Sequence, residues 1–211
     1  MRLNWKLMTL GAESRILHGV WNNQELILKI RPSKSYLIDT IDSMLRRSRT
    51  SRESRMLTYA RSLGIPTPCV HWLDLEQCSI VMDFIEGDSL KNLVANLREE
   101  KLRIFCRAFG KLIASLHNGD AVHGDPTTSN VIVDRTEKLW LIDFGLSERN
   151  ATIEMKGTDL HLIYRALETT HWKQQEVMLQ SIIEGYSSLV GPQSNLILER
   201  MRDIRERGRY H

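Results

Sequence analysis

No stretch of this 211-residue chain approaches the ~18 consecutive apolar residues of a membrane-spanning helix, so no membrane role is expected. The amino terminus, Met1-Arg2-Leu3-Asn4-Trp5-Lys6, lacks the long apolar segment of a secretory signal. Cysteine is scarce: Cys69, Cys78 and Cys106 make an odd count with no close pairing, which argues against a disulfide or metal framework. They read as small buried residues of a soluble protein in a reducing, intracellular setting. An excess of one charge is also missing, because the net charge is only +3 and no global field points to nucleic acid. There are no internal repeats or low-complexity tracts. What remains is an ordinary globular composition, 42% hydrophobic and 26% charged, long enough for one large domain or two small lobes sharing a cleft.

The stretch that carries chemistry is His123-Gly124-Asp125-Pro126-Thr127-Thr128-Ser129-Asn130, followed after one strand's length by Ile142-Asp143-Phe144-Gly145. A kinase-type phosphate site needs an Asp in a loop, an Asn a few residues on, and an Asp-Phe-Gly after a short strand pair. Asp125, Asn130 and Asp143 meet that order, and Asn130 runs directly into the apolar Val131-Ile132-Val133. Asp125 is placed to orient and deprotonate a substrate hydroxyl, while Asn130 and Asp143 are the candidate magnesium ligands on ATP. Motif and expected context agree, which favours such a site over a structural coincidence.

Upstream, residues 3 to 31 read as strands, with a hairpin turn at Asn22-Asn23. Lys29 lies in Glu25-Leu26-Ile27-Leu28-Lys29-Ile30 and points opposite to Leu28 and Ile30 by the period of two. A lone strand lysine is usually a solvated face; its place after a hairpin makes Lys29 the candidate for the ATP phosphates. A glycine-rich phosphate loop is absent. Gly11-Ala12-Glu13-Ser14 stands in its place, with Ser14 and backbone amides as candidate donors. Residues 34 to 64 read as a basic helix stopped by Gly64, with Arg46, Arg47, Arg49, Arg52 and Arg55 close together. Those arginines fit either a solvated face or a contact with a polyanion or acidic partner. Glu53, on the same helix, is the candidate partner that aims Lys29; Glu13 and Glu25 are the other acids nearby.

After Pro66 and Pro68, the segments Cys69 to Leu73 and Ser79 to Phe84 read as a strand pair, and Asp88 or Ser89 caps the helix that follows. As the connection between lobes, this region would present its backbone at Asp83 and Ile85 to the adenine edge. Asp88 or Ser89 would reach the ribose, and Met82 would close the rear of the pocket. The plain alternative is a strand-turn-helix corner. From Lys101 to His117 apolar residues fall at three- and four-residue intervals, the mark of an amphipathic core helix with His117 as a terminal cap. Strands are expected at 130 to 134 and 139 to 142, and helices at 158–170, 172–190 and 194–207.

Several expected parts of a protein kinase are missing. Gly124 stands where an Arg would clasp a phosphorylated loop, so control by such phosphorylation is not expected. Thr127 offers only a hydroxyl where a Lys commonly neutralises the moving phosphoryl group, which predicts slower transfer or water as acceptor. Pro126 biases Asp125 toward extended backbone. No activation segment of ordinary length and no Ala-Pro-Glu follow Gly145.

These motifs together resemble the PRPK-type family, the small atypical serine/threonine kinases of the KEOPS (EKC) complex. The resemblance runs over nearly the whole chain. It rests on the two central motifs, Gly11-Ala12-Glu13, the Arg46 to Arg55 helix with Glu53, Gly64-Ile65-Pro66-Thr67-Pro68, Ile80-Val81-Met82 with Glu86-Gly87, Asp159-Leu160, Arg165 to His171, and the basic end at Arg205 to Arg209. Pro126 and Tyr36-Leu37-Ile38-Asp39 depart from the family pattern. Membership implies an α+β, minimal two-lobed protein-kinase-like fold, with an N-terminal lobe at 1–86 and a shortened helical C-terminal lobe at 87–211. It implies ATPase and serine/threonine autophosphorylation activity with ATP and Mg2+. It also implies a threonylcarbamoyl-transferase partner on the C-terminal lobe, a small KEOPS subunit on the N-terminal lobe, and a cytoplasmic location, also nuclear in a eukaryote. Arg205, Arg207 and Arg209 are candidates for tRNA or partner contact, or form a solvated helix end. Two other function classes compete. One is a small-molecule phosphotransferase of the aminoglycoside or choline kinase type, which also uses His-Gly-Asp with an Asn five residues on; Asp-Phe-Gly and the short carboxyl half speak against it. The other is a non-catalytic nucleotide-binding scaffold.

Overall fold

The computed structural model describes residues 4–11, 13–34 and 38–207. The readings that fall on Met1 to Leu3, Ala12, Tyr36-Leu37 and Arg209 lie outside the described residues. Three strands open the chain, β1 (Lys6–Leu10), β2 (Arg15–Trp21) and β3 (Gln24–Ile30). Asn22 and Asn23, both at positive φ (48° and 62°), turn β2 into β3, the backbone that suits the twist of a two-residue hairpin. Helix α1 (Asp39–Ser62) crosses to β4 (Val70–Asp74) and β5 (Ser79–Asp83). The five strands form one antiparallel sheet in the order β1-β2-β3-β5-β4. In that order β3 lies mid-sheet, with Lys29 between Ile16 and Ile80. Lys29 is therefore buried rather than solvated.

Below the sheet come β6 (Gly87–Ser89), α2 (Leu90–Leu93), α3 (Glu99–Asn118), β7 (Ala121–Val122), β8 (Val131–Asp134), β9 (Leu139–Leu141) and β10 (Glu148–Arg149). Helices α4 (Ile153–Thr170), α5 (Gln175–Val190) and α6 (Ser194–Arg207) complete this part. Ser89, not Asp88, caps α2 by accepting the Asn92 amide. The apolar stripe of α3 buries Leu102, Phe105, Cys106, Phe109 and Ile113 in a core shared with Ile163, Leu167, Met178 and Tyr186. Burial there pushes the Cys106 thiol up to about 12, so it acts as an inert apolar residue. The core continues upward through Leu57, Ala60, Ile80 and Met82, so sheet and helices share one apolar interior.

Three helix starts shift by three residues or more. α1 begins at Asp39 rather than 34, α5 at Gln175 rather than 172, and α4 at Ile153 rather than 158. The last has a local cause: Thr152 accepts the Met155 amide as N-cap and Glu154 sits in the first turn, favourable to the helix dipole. His117 is not a terminal cap either. It is buried, with Nδ1 2.8 Å from the Tyr186 hydroxyl and Nε2 3.2 Å from Asp159 Oδ2.

Candidate active site

The loop 123–130 hangs between β7 and β8, and a buried acid on α4 sets its backbone. Asp159 Oδ2 accepts from the His123 amide at 2.7 Å and Oδ1 from the Gly124 amide at 2.9 Å. Gly124 has φ +81°, and a Cβ built there would lie 2.1 Å from the Leu146 carbonyl oxygen. No side chain fits, which gives a structural reason for the missing arginine. The His123 imidazole is fully buried: Nε2 lies 3.1 Å from the Ile142 carbonyl oxygen, and Nδ1 accepts the Asp125 amide at 3.3 Å. These contacts select the neutral tautomer with the proton on Nε2. Burial pulls its pKa down, against the opposing pull of Asp159 and Asp143.

Asn130 fixes Asp125 within the loop. Its side-chain amide donates to both the carbonyl oxygen and Oδ2 of Asp125, each at 2.9 Å. The Ile142 amide donates to the Asn130 carbonyl at 3.0 Å, which brings Asp143 alongside. Asp143 has φ +62°, a conformation costly for a residue other than glycine and one that clusters at functional sites. It is held because Phe144 behind it is fully buried, with its ring centroid 4.6 Å from that of His123.

From the sheet, Lys29 Nζ reaches Glu53 Oε1 and Asp143 Oδ1, both at 2.7 Å. Of the three candidate glutamates, Glu53 is thus the one that meets Lys29. Glu13 pairs with Arg49 and Lys34 instead, and Glu25 lies 3.9 Å from His18. Burial alone would raise the Asp143 carboxyl, but Lys29 beside it and Arg31 nearby hold it below the ordinary range. A cavity of about 70 Å³ sits between these groups, lined by Glu13, Ser14, Lys29, Arg31, Asp125 and Asp143 among others.

The outer candidates divide. Ser14 lines the cavity, and Met82 is buried in the core next to Ile80. Ile85 lies half-buried in the link after β5, and Asp88 is exposed in β6 opposite Val133. Neither lines this cavity. Asp83 gives its amide to the Cys69 carbonyl at 3.0 Å, and its carboxylate turns to His71 and Cys69, so of its backbone groups only the carbonyl remains for a base edge. At the far end, the Arg205 guanidinium stacks 4.2 Å over the Tyr164 ring and Arg207 lies 3.7 Å from Glu154.

Of this centre, Arg31 is absent from the sequence reading, and Asp159 enters it only within the Asp159-Leu160 stretch of the family resemblance. Arg31 Nη2 binds Glu53 Oε2 at 2.6 Å; its place two positions after Lys29, hence on the same strand face, was the available signal. Type and spacing gave Asp159 no such signal, because its partners are backbone amides 35 and 36 residues away.

The donor set fits magnesium: the Asp143 carboxylate and the amide oxygen of Asn130 are hard oxygen ligands on either side of the Asp125 carboxylate. Lys29 and Arg31 bring positive charge to the same cleft.

With this geometry in hand, residues 31–175 match the RIO domain family. The KEOPS complex subunit Bud32 of Pyrococcus abyssi is 42% identical, covering 97% of this chain and 96% of that protein. The chain belongs to the RIO-domain family. A probable bifunctional tRNA threonylcarbamoyladenosine biosynthesis protein of Methanocaldococcus jannaschii is 35% identical over 95% of this RIO-domain chain, which spans only 36% of that longer relative. In fold, the chain is similar to the Rio2 kinase of Chaetomium thermophilum, solved as an ADP/Mg2+-phosphoaspartate complex. The TM-score is 0.62 at 16% identity, over 98% of this chain and 72% of that one. The α+β, minimal kinase-like architecture read from the sequence is thus the observed one.

Proposed function

We propose that this chain is an atypical serine/threonine kinase and ATPase of a KEOPS (EKC) complex, using Mg-ATP to support threonylcarbamoyladenosine formation in tRNA by a partner transferase. The observation that carries the reading is the convergence of Lys29, Glu53, Asp125, Asn130 and Asp143 on one cleft, in a chain related end to end to a Bud32 subunit.

In this reading Lys29, aimed by Glu53, binds ATP phosphates. Asp125, its carboxylate steadied by Asn130, orients the acceptor hydroxyl or water and takes its proton. Asp143 and Asn130 would hold magnesium, which neutralises charge on the phosphates. Ser14 and nearby backbone amides cover the phosphates; the Asp83 carbonyl and Ile85 amide meet adenine, Asp88 the ribose, with Met82 behind. The 1–86 part then acts as one lobe and 87–211 as the other, hinged after β5.

A stable transferase partner is supported by relatives in which the matching segment is covalently part of a longer bifunctional protein. Exposed Leu7, Met8, Leu10, Val20 and Trp21 on β1 and β2 support docking of a small subunit on the sheet. Arg207, more than half exposed, keeps the tail as a candidate tRNA contact.

A second reading, a nucleotide-binding scaffold, is favoured by the small cavity and by the Lys29–Asp143 contact across the phosphate position. One experiment separates the two. Magnesium-dependent phosphate release and protein labelling from γ-labelled ATP are measured with and without the transferase subunit, followed by phosphoamino-acid analysis. Turnover that disappears in Asp143→Ala, with label on serine or threonine, is expected. Equal rates in that variant would defeat the enzymatic reading.

A further inference from the structure

Outside the cleft, Cys69, His71 and Asp83 bring a thiol, an imidazole and a carboxylate together, with one ligand atom from each all within 4.8 Å of one another. Cys69 precedes β4, and Asp83 closes β5 beside it. The Asp83 amide donates to the Cys69 carbonyl at 3.0 Å, and the Cys69 amide donates to Asp83 Oδ2 at 2.9 Å. His71 sits where the β4–β5 register slips between Val70 and Trp72. Such bulges re-aim a side chain, and here His71 Nε2 lies 2.7 Å from Asp83 Oδ1. The Gln24 side-chain amide reaches both, at 3.3 and 3.2 Å.

The donor types decide which ion would suit. Thiolate and imidazole are poor ligands for magnesium or calcium, which take oxygen. Cysteine, histidine and a carboxylate together are a zinc set. Zinc bond lengths of about 2.0 to 2.3 Å around a tetrahedron place ligand atoms roughly 3.3 to 3.6 Å apart. Binding would have to part His71 Nε2 from Asp83 Oδ1, now 2.7 Å apart, and bring the sulfur in from within 4.8 Å.

We propose that Cys69, His71 and Asp83 form a zinc site, with three protein ligands and a fourth position open to solvent. The ion would clamp the segment entering β4 to the end of β5. On binding, the Cys69 thiol proton leaves to solvent and the sulfur coordinates as thiolate.

The test uses the full chain, stripped of metal and titrated with zinc by calorimetry, and with cobalt(II) by absorption. Asp143→Asn serves as background to remove the cleft as an alternative site. Expected are one zinc per chain and a thiolate-to-cobalt charge-transfer band. The band should vanish in Cys69→Ser, and affinity should drop in Cys69→Ser and His71→Gln, with circular dichroism unchanged. Absence of stoichiometric binding overturns the proposal, as does a cobalt spectrum indifferent to Cys69→Ser. The trio is then only a hydrogen-bonded clasp between strands.

Discussion

Arg31 Nη2 donates at 2.6 Å to Glu53 Oε2, the carboxylate oxygen that Lys29 does not use. One fully buried acid therefore joins two cations from the same strand face, and Arg31 prevents Glu53 from turning away from Lys29. Removing one member of a buried ionic set leaves an uncompensated charge, at a cost on the order of 3 kcal/mol. Arg31→Met should lower the urea midpoint accordingly and also reduce ATP turnover. Glu53→Gln should reduce turnover on the order of 100-fold by letting Lys29 drift from the phosphates. Wild-type stability and rate in Arg31→Met would show that the second cation is dispensable.

Asp159 touches no reacting group in this arrangement, yet it holds the His123 and Gly124 amides and His117. Asp159→Asn keeps the shape but turns one acceptor into a donor facing a backbone amide. The expected signature is a fall in kcat with little change in KM for ATP, since the loop moves while Lys29 does not. Steady-state kinetics decide it, and a change in KM alone would contradict the positioning role.

Helices α3 and α5 cross at two glycines. A Cβ at Gly110 would lie 2.0 Å from the Ile182 carbonyl oxygen, and one at Gly185 2.0 Å from that of Arg107. Neither backbone can yield without parting the helices. Gly110→Ala and Gly185→Ala should each destabilise by about 3 kcal/mol, the upper range of overpacking, despite alanine's better helix propensity. Thermal melts of both variants test this.

Acid should act through His123. Its folded pKa is lowered by burial, so the unfolded chain binds the proton more readily, near the ordinary value of about 6.5. Stability is then fully present above that value and is lost as pH falls from there toward the folded pKa. Protonation would also set an N–H on Nδ1 against the Asp125 amide. The melting temperature should decline as pH drops below about 6.5, and turnover should follow only at the lower pH where the folded imidazole takes up its proton. Asp143, held below the ordinary carboxylate range, loses its charge only at lower pH. A flat stability profile down to pH ~5 would contradict the burial of a neutral imidazole.

Much of this arrangement was legible because local rules wrote it. Asn22-Asn23 needs only its two neighbours to turn, and the apolar spacing of α3 needs only its own residues. Asp125, Asn130 and Asp143 are joined by a strand pair of fixed length, so their spacing carried their meeting. The start of α4 was missed although Thr152 and Glu154 gave a local signal. Arg31 was missed because a strand-end arginine looks solvated until Glu53 arrives from α1.

The sequence by itself determined the reactive groups, their order and the element types, because those depend on chemistry and periodicity over a few residues. Only the tertiary structure decided that Arg31 shares Glu53 with Lys29, that Asp159 holds the 123–130 loop, and that Cys69, His71 and Asp83 share a corner. Each of those pairings joins segments distant in the chain, and their distances follow from how the sheet and helices pack rather than from spacing along the backbone.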